Sequence, residues 1–156
     1  MKLGSHIVVN KNKEEVWSFL ADPQNISKWD RGVRAVEPGT STVLPGEGFE
    51  FTTIGHDASA PDHGRMAYRV GQTDPDAGCR VDLVNRDGNA RYFKSAYWSF
   101  RVIGQSGIGS DNRARIECLV DFSLRARYLW LAPILYFMRR AIYRDLIGLK
   151  RVLECA

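Results

Sequence analysis

The spacing of apolar and polar residues along this chain changes period twice. Ser5 to Asn10 is a short β-prone run holding Ile7, Val8 and Val9. Asn12 stands where a side-chain oxygen can cap a helix over Lys13 to Leu20, and Glu14 and Glu15 suit its first turn. Val16, Phe19 and Leu20 form its apolar face, with Trp17 at the edge. Asp22-Pro23 restarts the chain into a second short helix, Gln24 to Lys28, ending near Trp29. From Val33 the period becomes two. Val33 to Glu37, Gly48 to Ile54, Arg65 to Gln72, Cys79 to Val84, Arg91 to Ile103 and Arg113 to Arg125 are the strand candidates. Gly- and Pro-rich turns separate them, and the loop Gly104 to Asn112 joins the last two long strands as antiparallel neighbours. From about Tyr128 the period becomes helical. Leu131, Leu135, Met138, Ile142, Leu146, Leu149 and Leu153 recur at steps of three and four, with Pro133 in the first turn. About 25 residues of helix would span roughly 37 Å, enough to cross the whole domain.

This order predicts an α+β architecture: a curved antiparallel sheet wrapped around a long C-terminal helix, with two short helices after the first strand. The helix would bury its stripe on the concave face of the sheet, leaving a cavity where the two do not meet. The alternation also assigns faces. Met66, Tyr68 and Val70 share one side of their strand and Arg65, Ala67 and Arg69 the other. In the next long strand Tyr92, Lys94, Ala96, Trp98, Phe100 and Val102 share the more apolar side, and Cys118 lies on the apolar side of the last strand. Lys94 then points inward as a candidate base, or snorkels from the strand end to water.

Composition narrows the class. The chain has 156 residues, 44% hydrophobic and 26% charged, which fits one globular domain over residues 1–156 with a substantial core. No apolar run reaches the roughly 18 residues of a membrane span, and the N-terminus has no signal-peptide pattern, so a cytoplasmic protein is expected. Cys79, Cys118 and Cys155 are odd in number and far apart, which argues against a disulfide framework or a thiolate zinc site. From Arg125 onward the chain carries +5, and residues 1–124 are near neutral at −1, which gives the net +4. No zinc-finger, RNP-like or helix-turn-helix pattern accompanies those basic residues, so no nucleic-acid partner is expected. The reading is a solvated helix face, with a membrane surface as the alternative.

In order and spacing, several short motifs resemble one superfamily. They are Ile7-Val8-Val9-Asn10, Glu15-Val16-Trp17, Ala21-Asp22-Pro23, Lys28-Trp29-Asp30, Gly46-Glu47-Gly48-Phe49-Glu50-Phe51, Tyr68-Arg69-Val70, Tyr97-Trp98-Ser99-Phe100-Arg101, and the ending Gly148-Leu149-Lys150-Arg151-Val152-Leu153-Glu154. Together they resemble the START-like, Bet v 1-like (SRPBCC) helix-grip superfamily, in its polyketide cyclase/dehydrase branch. The resemblance implies a deep pocket between sheet and long helix that holds a hydrophobic small molecule. It also implies one of three roles: cofactor-free aromatase/cyclase, carrier of a lipid or quinone, or a domain without activity. In the cyclases an arginine on a mid-sheet strand stabilises enolate charge, and the matching position here is Arg69. The alternation sends Arg69 to the other face, so resemblance and periodicity give opposite answers.

The remaining candidates follow from the residues themselves. Asp145 lies beside the apolar stripe of the last helix, with Ala141, Ile142, Gly148 and Leu149 at its helical neighbours and no basic partner among them. It could hydrogen-bond a ligand, pair with Arg69 across the cavity, or bridge to a basic loop residue. Gly55-His56-Asp57 and Asp62-His63-Gly64 bracket a loop whose spacing matches no metal-ligand motif. His56 or His63 could shuttle protons at the pocket mouth, because imidazole exchanges protons near neutrality. Trp29, Phe49, Phe51, Trp98 and Tyr136 are the expected ring-rich walls, joined by Tyr68, Phe100, Cys118, Met138 and Ile142. The most apolar stretch, Tyr128 to Met138, is expected to close the core and roof the pocket, or to let the helix tip touch a membrane. No nucleophile elbow and no phosphate loop is present, so no cofactor is expected. Homodimer formation is left open.

Overall fold

The computed structural model describes residues 1–39, 46–56, 64–85, 87–105 and 112–155. Strand β1 (Lys2–Val9) leads into helix α1 (Lys13–Leu20), a 3₁₀ turn (Pro23–Asn25) and helix α2 (Ile26–Trp29). Strands β2 (Val33–Pro38), β3 (Glu50–Gly55), β4 (Arg65–Asp74), β5 (Gly78–Leu83), β6 (Phe93–Gly104) and β7 (Ala114–Leu124) follow. After a further 3₁₀ segment (Ala126–Leu131) come α3 (Ala132–Tyr136) and α4 (Met138–Cys155). The strands form one antiparallel sheet in the order β1-β7-β6-β5-β4-β3-β2, open between β1 and β2. It is curved around α4, as expected of a helix-grip α+β architecture.

Local chemistry accounts for the turns at the start. The Asn12 side chain accepts the Glu15 backbone N–H at 2.8 Å, the cap the sequence predicts, and Asp22 accepts the backbone N–H of Gln24 at 3.0 Å, capping the 3₁₀ turn. The core lies between the inner face of the sheet and α4. Val9, Phe51, Val81, Val102 and Ile116 meet Leu146 and Leu149 there, with α1 adding Val16. On α4 the buried residues Ile142, Leu146, Leu149 and Leu153 hold the predicted stripe.

Two features depart from the sequence reading. The C-terminal helix is not continuous from Tyr128. Residue 133 is a proline, which lacks an N–H and crowds the carbonyl four residues earlier, so the chain before it winds as 3₁₀ and helix begins at α3. A second joint at Phe137 closes with an i→i+3 bond, Arg140 N–H to the Phe137 carbonyl, and the 18 residues of α4 span only about 27 Å. Consequently Leu129, Trp130, Ile134, Tyr136 and Phe137 are exposed, and the apolar stretch does not close the core. The other departure is a bulge between Phe93 and Ser95, which shifts the β6–β7 register. It breaks the alternation at the start of β6, so Phe93 packs on the core and Lys94 is exposed rather than inward.

Candidate functional site

The faces of β3 and β4 decide where charge can enter the interior. Phe51 pairs with Tyr68 and Glu50 with Arg69, and paired residues share a face. Phe51 and Tyr68 therefore look inward. Arg69 is on the outer face, 56% exposed, donating from Nε to Glu50 at 2.8 Å and lying in register with Asp82 of β5. The alternation prevails, and Arg69 is not in the cavity.

Inside the sheet is a cavity of about 200 Å³. Its floor is aromatic. Trp98 meets Tyr68 edge-on at 6.2 Å and Phe100 at 5.2 Å, and Trp29 meets Phe100 at 5.6 Å. Cys118 and Val120 of β7 stand opposite Phe100 and Trp98 in register, and Met138 and Ile142 of α4 cover them. Phe49 and Phe51 are fully buried and stack behind Tyr68, supporting the wall without lining it. Tyr136 faces water on a different groove, because α3 turns away at Phe137. His56 is exposed at the end of β3 and lines none of this cavity, while Asp57, Asp62 and His63 lie outside the described residues. Among the described residues no cluster of three or more His, Cys, Asp or Glu could hold a metal ion.

The cavity opens into a groove of about 550 Å³ whose walls include Arg31, Gly64, Met66 and Arg144. At the boundary between cavity and groove sit two carboxylates, Asp30 and Asp145, with Thr53 and Tyr68. Asp145 is half-buried. Desolvation, reinforced by the charge of Asp30, pushes its carboxyl up to about 6, while the Arg31 backbone N–H donates to it and holds it partly down. Burial also raises Asp30, against the Gly32 N–H that it accepts at 2.8 Å. The Tyr68 hydroxyl is raised in turn by burial and by Asp30, with the Thr53 side chain opposing, and it donates to the Met66 sulfur at 3.5 Å. Burial pushes the Cys118 thiol to about 12, so it lines the cavity as an inert apolar group.

Asp30 and Asp145 meet because α4 approaches the end of α2 at a glycine. A Cβ on Gly148 would lie 2.8 Å from the Trp29 carbonyl oxygen. With no side chain at residue 148, the turn carrying Asp30 and Arg31 reaches Asp145, three residues earlier on the same helix. Asp145 stands out in the sequence as a carboxylate without a basic helical neighbour. Asp30 is part of Lys28-Trp29-Asp30, yet nothing local marks it as a site residue, and Thr53 carries no signal at all.

In sequence the chain matches no protein-family model and no curated protein. In structure it is similar to Zhui aromatase/cyclase from a Streptomyces species, with a TM-score of 0.77 at 15% identity over 99% of this chain and 93% of that one. Norcoclaurine synthase from Thalictrum flavum, in complex with dopamine and hydroxybenzaldehyde, gives a TM-score of 0.70 at 9% identity over 98% and 86%. The di-domain ARO/CYC BexL from the BE-7585A biosynthetic pathway gives 0.73 at 13% identity over 97% of this chain and 45% of that one. The chain shares the helix-grip fold of these proteins. At these identities the likeness is one of fold, and function has to be argued from the site. Among the described residues of this helix-grip chain the site joins an aromatic cavity to a carboxylate that burial pushes up to about 6, with arginines at the outer groove. Such a site can bind an apolar ring system and move protons at its edge.

Proposed function

We propose that this chain is a cofactor-independent enzyme of the polyketide cyclase/aromatase type. The observation that carries the reading is Asp145, a desolvated carboxylate coupled to Asp30 at the mouth of an aromatic cavity. A flexible poly-β-ketone folds against Trp98, Phe100 and Trp29, bringing a methylene and a carbonyl of the same chain together. Ionised Asp145 takes a proton from the methylene. The resulting enolate carbon attacks the carbonyl, a carbon–carbon bond forms, and the new alkoxide recovers the proton from Asp145. Removal of a second α-proton with departure of the hydroxyl as water yields the ring, Asp30 or Asp145 in its protonated form supplying the acid. Arg144 and Arg31, not Arg69, are the cations near enough to the groove to favour the enolate.

The test offers purified protein a linear poly-β-ketoacyl thioester and follows ring formation by chromatography. The native chain should accelerate cyclisation over the protein-free rate, with a kinetic limb near pH 6. Asp145→Asn should lower kcat on the order of 100-fold and remove that limb. No acceleration by the native chain rejects the enzyme. A second reading, non-catalytic carriage of a hydrophobic molecule, draws support from the lack of any cation among the described residues that line the inner cavity. Native mass spectrometry of protein from its own organism separates the two. A co-purifying polyketide-like aromatic supports the cyclase, and a prenyl or acyl lipid supports the carrier.

A further inference from the structure

The segment that follows β7 leaves the most apolar stretch of the chain in water. Trp130 and Phe137 are each 67% exposed, and Leu129 and Ile134 each 59%. Scattered surface apolar residues are ordinary, but this many large ones within ten residues mark an interaction surface. Arginines surround them: Arg127, Arg139, Arg140 and Arg144, with no acidic residue between Asp121 and Asp145. Among the described residues the guanidinium groups of Arg139, Arg140 and Arg144 make no ion pair or hydrogen bond. Tyr136, Phe137, Arg139, Arg140, Tyr143 and Arg144 together wall a groove of about 550 Å³. The chemistry is therefore an apolar, aromatic ridge bordered by unneutralised guanidinium groups.

We propose that residues 126–144 are a docking surface for the face of an anionic phospholipid bilayer. The large apolar side chains would enter the headgroup layer, where Trp and Tyr partition favourably, and the arginines would hold lipid phosphates through several donors each. Charge decides against a second copy of this chain, because a two-fold contact would bring the same arginines face to face. The surface lies on the membrane and does not cross it, since no described helix is long and apolar enough to span. Met138 links the two regions. It is part of the exposed apolar run and also lines both the inner cavity and the outer groove, so the docked face leads directly to the cavity mouth. A hydrophobic molecule could then pass between bilayer and cavity with little exposure to water. The inference stands on this surface and does not depend on the acid–base role of Asp145.

The experiment is flotation of the full chain with vesicles of phosphatidylcholine alone and with vesicles containing about a third phosphatidylglycerol. The native chain should float with the anionic vesicles, much less with the neutral ones, and progressively less as salt is raised. Each arginine near an anionic surface contributes about fivefold in affinity, so Arg139→Ala with Arg140→Ala should weaken binding about 25-fold. Trp130→Ala with Phe137→Ala should weaken it at least tenfold, and all four side chains are exposed, so neither pair should alter the thermal melt. No flotation with anionic vesicles overturns the proposal, as does flotation that both double variants leave unchanged. A dimer in sedimentation that the Trp130→Ala, Phe137→Ala pair dissolves, without vesicle binding by the native chain, overturns it in favour of self-association.

Discussion

Replacing Asp145 by Asn should stabilise this protein above pH 6 and leave its stability near pH 4 unchanged. The folded protein holds the Asp145 carboxyl at about 6 against an ordinary 3.8, because α4 desolvates it and Asp30 repels its charge. Between those two values the folded chain binds a proton that the unfolded chain has released, so stability falls as pH rises through this window. The part owed to Asp145 is complete below about pH 4 and gone above about pH 6. A shift of this size would be worth about 3 kcal/mol at 1.36 kcal/mol per unit, but a carboxyl still partly open to water realises about 1–2 kcal/mol of it. Asn has the same shape, carries no charge and can still accept the Arg31 backbone N–H, so it removes the penalty without removing the contact. The assay is a pair of thermal melts at steps from pH 4 to pH 8. The two proteins should melt together at pH 4 and separate to about 3–6 °C in favour of the variant by pH 7. A difference that is constant across the range would show that the effect is packing, and would refute the claim that Asp145 is held ionised at a cost. The gain in stability should accompany the loss of cyclisation, as expected where a strained charge is retained for function.

Two further outcomes follow from the same region. Gly148→Ala should lower the melting temperature: the added Cβ meets the Trp29 carbonyl oxygen at 2.8 Å, and overpacking of about 1–3 kcal/mol outweighs the helix-propensity gain of about 1 kcal/mol. Because it also moves the end of α2 away from Asp145, the variant should shift the kinetic limb near pH 6 toward lower pH, which a pH–rate profile reads. In thiol labelling with an aromatic disulfide reagent at pH 8, exposed Cys155 should react first and Cys79 and Cys118 slowly, burial having pushed them to about 11 and about 12. Filling the cavity with a naphthol should slow Cys118 further and leave Cys79 unchanged, since only Cys118 lines it.

Much of the fold was legible because period and capping act locally. Asn12, Asp22, the strand alternation from Val33 to Arg125 and the stripe Ile142, Leu146, Leu149 and Leu153 each report a backbone period or a cap that needs no distant partner. Errors arose where a single residue broke a period. Pro133 kept 3₁₀ turns ahead of it from becoming part of the long helix, and the bulge at Phe93–Ser95 released Lys94 to the surface. At Arg69 two sources of inference competed. The alternation was the physical one, since turning a single strand residue inward would also have sent Phe51 and Tyr68 outward across the β3–β4 register.

The site was legible only by halves, for a reason that bears on how it works. Asp145 is conspicuous on its own helix because the positions three and four residues away, Ala141, Ile142, Gly148 and Leu149, offer it no basic partner. Asp30 is not, because its own surroundings include an Asx turn to Gly32 that would occur at any exposed helix end. The two carboxylates are brought together through a contact neither contains, the meeting of Gly148 with the Trp29 carbonyl. That contact also fixes how far α4 closes over the cavity that Trp29 and Ile142 line. The same approach of helix to sheet thus sets both the space available to an aromatic chain and the field in which Asp145 holds its proton. A substrate large enough to part α4 from α2 would weaken the repulsion from Asp30 and let Asp145 ionise at lower pH, so binding itself would generate the base. The expected sign is a kinetic limb for the bound enzyme, read from kcat, below the limb for the free enzyme, read from kcat/KM. The opposite order would mean that substrate seals the groove and desolvates Asp145 further.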